Sequence, residues 1–234
     1  MLLMLFAIMQ NSFAQLLVSS NDNKAELIDG VNTLVRNPPP DTVSIVDLGA
    51  NPPRLIAELN APGGWSAPPQ SVAVAPDESI ALIVSSTRLD PNDPTKTIFN
   101  DVVSVVDLES IPIQVIDTVR AGERASGVSI NPTGTMALVA NRAAGTVTVF
   151  SIIDKVVTRV GDVQVCDTCQ PSLPVFTPDG SRALVTRNAD HSVSMLEIEG
   201  EEVTYSGLDI SSNLGPYSID ITPDGQYAIA ANYR

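Results

Sequence analysis

A turn built around a proline recurs four times in this chain, at Pro76, Pro132, Pro178 and Pro223, with spacings of 56, 46 and 45 residues. Nothing else in the sequence constrains the fold as strongly. In the third copy Leu173–Phe176 is a short apolar run, and Thr177-Pro178-Asp179-Gly180 is a tight turn in which proline presets φ and glycine is free to take φ > 0. Arg182–Arg187 reads as a second strand, Asn188-Ala189-Asp190 as another tight connection, and Ser192–Ile198 as a third strand with period-two alternation. The unit is legible again over 127–152, more loosely over 71–88 with 101–108, and it restarts at Ser218. A period in the mid-forties with about four strands per copy is the signature of a β-propeller. The expected fold class is therefore all-β, built of four-stranded antiparallel blades that bury their faces against one another.

Blades are expected at about 16–60, 69–120, 122–165 and 169–208, with an incomplete one at 216–234, all in a single domain spanning 15–234. Four to five blades are fewer than the six to eight expected of the ring, so the sequence reads as part of a larger propeller. The longer first spacing comes from a polar insertion, Leu89–Asn100. Asn37-Pro38-Pro39-Pro40 closes a Pro-rich segment read as a surface loop, because consecutive prolines cannot donate to a ladder. Pro52-Pro53 and Pro68-Pro69 bracket an outer strand, Arg54–Leu59.

The formal net charge of −14 disfavours nucleic acid and anionic membrane surfaces as partners. Residues 1–14 form a short apolar run ending in Ser12-Phe13-Ala14, a small-x-small pattern read as a signal peptide cleaved after Ala14, although no Lys or Arg precedes the run. A buried first strand is the structural alternative. No stretch has the length of a membrane span, and an exported location follows: periplasm, secreted medium or cell surface. Cys166 and Cys169 are the only cysteines, and in an exported chain a disulfide closing a tight loop is the favoured reading. Haem attachment would need His after the second cysteine, where Gln170 stands, and zinc would need two further ligands. No metal and no cofactor are expected. Asp77, Asp179 and Asp224 read as turn formers, and the lone His191 as an ordinary turn residue.

The segments Val128–Val149 and Ser218–Asn232 resemble the YVTN-type propeller repeat of bacterial and archaeal exported and surface-layer proteins, a family related to the lactonase-like propellers. The tetrapeptide itself is absent; Leu184–Arg187 and Leu138–Asn141 come nearest. The resemblance implies that the loops between blades and those joining second to third strands surround one mouth of the channel. On that basis Arg88, Arg142, Arg187 and Arg234 from the second kind of loop, and Trp65, Arg124, Asp167 and Tyr217 from the first, are brought to one opening. The candidate ligand-binding set is Trp65, Arg88, Arg124, Arg142, Arg187 and Tyr217, whose guanidiniums would suit a carboxylate, phosphate or sulfate. The competing reading is that each arginine pairs with an acidic residue on an adjacent blade and staples the ring.

Two functions are carried forward. One is a non-catalytic binding module for a protein, a glycan or a small anionic ligand; the alternative is a lactonase-like hydrolase acting at the same mouth. No catalytic residue can be named, because nothing beyond the repeat matches. A cofactor-bearing dehydrogenase or electron-transfer propeller ranks third.

Overall fold

The computed structural model describes residues 15–65 and 70–233. Residues 1–14, read as a leader, and Pro68-Pro69 and Arg234 lie outside them. The described residues are strands and turns, arranged as successive antiparallel sheets. The first blade pairs β1 (Leu16–Asn21), β4 (Thr42–Asp47) and β5 (Arg54–Asn60), with a separate hairpin of β2 (Ala25–Ile28) and β3 (Val31–Leu34) rising between β1 and β4. The second contains β6 (Val72–Val74), β7 (Ile80–Asp90), β8 (Asp93–Asp107) and β9 (Gln114–Arg120). The third is β10 (Ala125–Ile130), β11 (Met136–Asn141), β12 (Thr146–Ile153) and β13 (Val156–Gln164). The fourth is β14 (Pro171–Phe176), β15 (Arg182–Arg187), β16 (Ser192–Glu199) and β17 (Glu202–Ser211), and β18 (Pro216–Ile221) pairs with β19 (Ala228–Asn232) in the fifth. Strands follow one another within each sheet, as in a propeller blade.

Two segments differ from their sequence reading. The insertion Leu89–Asn100 is built of strand: β7 and β8 run on through it, pairing Arg88 with Ile98 and Asp90 with Asp93, so one long hairpin projects from the second blade. The segment before Pro38 likewise contains the β2–β3 hairpin. Both are largely solvent-exposed, the first hairpin even at Leu27, Ile28 and Val31, so they lack the half-buried alternation that marks a strand.

The core is a series of apolar layers between neighbouring blades. Along β7, Ala81 and Ile83 pack towards Val43 and Ile45 of the first blade, whereas Leu82 and Val84 face Ala137 and Val139 of the third. Along β11, Met136 and Leu138 in turn meet Phe176 and Val185 of the fourth. Period-two alternation sends alternate residues to opposite neighbours, which is why the central strands are apolar on both faces and why each blade is stable only between two others.

Candidate ligand site at the channel mouth

The residue before each innermost strand has a positive φ in three successive blades: Arg124 at 57°, Gln170 at 53° and Gly215 at 67°. Immediately after it the ladder carries a bulge, between Ala125 and Val128, Pro171 and Pro174, and Pro216 and Ser218. Bulges re-aim side chains, and here they present the equivalent residues Ser126, Ser172 and Tyr217. The second-to-third strand loop is tied to the same place by a repeated bond: Arg142 N donates to Arg124 O at 3.0 Å, Asn188 N to Gln170 O at 3.2 Å, and Tyr233 N to Gly215 O at 2.8 Å. Inter-blade loops and second-to-third strand loops therefore share one face.

Arg142 is the centre of that face. It is 7% exposed, and its guanidinium reaches into the fourth blade, donating to Ser172 Oγ, to Gln170 Oε1 at 2.9 Å and to Asn188 Oδ1 at 3.3 Å, with its carbon 5.5 Å from the Tyr217 ring centroid. All three acceptors are neutral, and no carboxylate pairs with it among the described residues. Burial pushes its pKa below the ordinary arginine value; Tyr217 opposes that shift and nearby Arg124 adds to it. Arg124 stacks over Phe99, an exposed residue of the β7–β8 hairpin, with its guanidinium carbon 5.1 Å from the ring centroid.

Among the described residues several buried donors have no acceptor: Nε of Arg124, Nε of Arg142 and Nδ2 of Asn188 at this face, and elsewhere Nε1 of Trp65 and the hydroxyls of Ser86, Thr87 and Ser126. A buried polar group without a partner is costly. A surplus of donors is complemented by a ligand rich in acceptor oxygens.

The other arginines differ. Arg187 aligns in register with Asn141, since Arg187 opposes Ser192 as Asn141 opposes Thr146. It turns back into its own blade, paired with Asp190 and Asp209 and donating to Ser194 Oγ at 3.1 Å. Arg187 is thus paired with acids, but these lie in its own blade and not in the adjacent one, so the pairs do not staple the ring. Arg88 is exposed on the long hairpin, and its side chain makes no hydrogen bond or ion pair among the described residues. The repeat position of Arg142 is held by Asn188 in the fourth blade and Asp22 in the first. Near Asp22 a buried cation is fully paired: Lys24 meets Asp22 at 2.7 Å, Asp41, and the Gly63 carbonyl at 3.1 Å. Arg142 has no such acids among the described residues.

Cys166 and Cys169 form a disulfide, as the sequence suggests, directly before Gln170. Gly145 makes room for that loop: its φ is +71°, and a β-carbon there would fall 2.1 Å from the Cys166 carbonyl oxygen. Asp167 is exposed on the same loop. His191 accepts a hydrogen bond from Gly215 N at Nδ1, 3.0 Å away, and serves the turn. Gln170, Ser172, Asn188 and Phe99 are the contributors that sequence reasoning missed.

No protein-family model matches the chain, and no curated protein matches it in sequence. Solved structures do. A functionally unknown protein from Desulfotomaculum acetoxidans superposes with a TM-score of 0.68 at 22% identity, over 90% of this chain and 62% of that one. The periplasmic gluconolactonase of Pseudomonas aeruginosa gives 0.62 at 14% identity, over 83% and 57%. The fold is a β-propeller. A Bacteroides uniformis protein provisionally assigned as a 6-phosphogluconolactonase gives 0.64 at 15% identity, over 82% and 57%. The chain spans about three fifths of the length of these structures. At such identities the likeness concerns the propeller alone.

Proposed function

We propose that this chain belongs to an exported, lactonase-like propeller that takes a small organic anion, or the lactone that yields one, at the channel mouth. The observation that carries the reading is Arg142: a buried guanidinium with three neutral acceptors, no carboxylate among the described residues, and the unpartnered donors of Arg124 and Asn188 beside it. Such a site favours a carboxylate or phosphate, and the same donors would stabilise negative charge developing as a lactone ring opens. Two of the similar structures carry lactonase names, which supports hydrolysis as the reaction class. The disulfide and the 1–14 pattern support export.

One observation favours the second reading, binding without turnover. The one histidine of the sequence, His191, accepts from Gly215 N and serves the turn, while Asp190 and Asp209 are paired with Arg187. Following gluconolactone opening in a pH-stat tests the pair. Proton release above the uncatalysed rate that disappears in Arg142→Gln supports hydrolysis. Saturable gluconate binding without turnover supports the second reading, and neither binding nor turnover sinks both.

A further inference from the structure

The four proline turns have one irregular member. Gly134, Gly180 and Gly225 occupy the left-handed position of their turns at φ 73°, 71° and 70°, and the second blade places Glu78 there at φ 58°. A residue with a β-carbon is disfavoured in that conformation, and such a departure from a repeat points to a role for the side chain. The Glu78 carboxylate accepts Gln15 N at 2.7 Å and Leu16 N at 3.2 Å. Gln15 is fixed from its other side by Leu48 N, which donates to its carbonyl at 2.6 Å. In the sequence Gln15 directly follows Ser12-Phe13-Ala14.

We propose that Glu78 is the seat of the processed N-terminus: removal of 1–14 makes Gln15 the first residue, and its α-ammonium pairs with the Glu78 carboxylate. This rests on the export reading above. The nitrogen that donates to Glu78 is the atom that becomes the α-ammonium when the Ala14–Gln15 bond is hydrolysed, so a bond from a neutral amide to the carboxylate becomes an ion pair. The pairing has a chemical consequence. An N-terminal glutamine cyclises when its neutral α-amine attacks its own side-chain Cδ; the new C–N bond closes the lactam, the Cδ–Nε2 bond breaks, and ammonia leaves. A free α-amine titrates at about 7.7–8.0, and a neighbouring carboxylate favours its protonated form. Glu78 therefore favours the unreactive ammonium state of Gln15.

The test is the intact mass of the exported, purified protein, followed over days at neutral pH, beside Glu78→Gln and Glu78→Gly. Glu78→Gln keeps an acceptor of the same shape and loses only the charge, while Glu78→Gly restores the turn residue of the other blades and relieves the backbone, so both fold. The expected result is a wild-type chain that begins at uncyclised Gln15, with ammonia loss roughly tenfold faster in both variants, the effect of about one unit in the amine pKa. Equal rates in all three proteins, or a wild type already fully cyclised, overturn the pairing alone. A first residue other than Gln15 overturns the processing reading and the pairing with it.

Discussion

Asn188 occupies in the fourth blade the position that Arg142 holds in the third, and the two side chains meet across the blade boundary, 3.3 Å from Arg142 Nη2 to Asn188 Oδ1. The repeat thus supplies Arg142 with a neutral neighbour from its own column, in place of the acids that pair Lys24 in the first blade. A cation buried in that way is available to an anion.

Replacing Arg142 by methionine is expected to cost about 1–3 kcal/mol, since the buried Ser172 and Asn188 acceptors lose their donor. Anion binding is expected to disappear. Urea unfolding beside calorimetric titration separates the two effects, and a stability loss above about 3 kcal/mol would show that the guanidinium is structural.

Phe150 is fully buried in the layer between the second and third blades. Phe150→Ala is expected to cost about 3–5 kcal/mol, by lost burial and the cavity left behind. Thermal and urea unfolding check it; a cost below about 1 kcal/mol would mean that the layer collapses onto the gap.

The Cys166–Cys169 bridge closes a very short loop, so chain entropy assigns it only about 2 kcal/mol. Its larger effect is expected on the mouth, because Gln170 and Ser172, which hold Arg142, follow directly. The double serine variant is expected to lose more ligand affinity than stability, read by titration and by melting.

Asp179 is held at a pKa of about 2 by the Thr177 hydroxyl first and then by the Ser181 backbone amide and hydroxyl. A carboxyl depressed in the folded state stabilises fully above its unfolded value of about 3.9, and that contribution fades as pH falls towards 2. Asp77 and Asp224 shift in the same direction, through Ser79 and Thr222. Asp179→Asn is expected to flatten the acid limb of stability between about pH 4 and 2, and to leave its slope above pH 5 unchanged. Denaturant midpoints across that range check it.

The blades were legible in the sequence because each buries alternate residues against two neighbours, which forces both the period of two within strands and the mid-forties repeat. The two projecting hairpins were not, since strands that face water on both sides carry no apolar alternation. At the mouth, grouping arginines by loop concealed a one-residue offset: Arg187 aligns with Asn141, whose side chain locks its own blade through Thr146 and Thr148 at 2.9 Å each. A slip of one residue turns a side chain to the other face. Aligning the turn glycines would have shown that offset, and would also have marked Glu78 as the odd member of its column. Gln170 and Ser172 gave no signal, because small neutral polar residues are unremarkable in a loop.

The most direct measurement is a calorimetric titration of the protein with gluconate at low ionic strength, beside Arg142→Met. The account predicts saturable, salt-sensitive binding to one site in the wild type and none in the variant. Equal binding by the two proteins would contradict it.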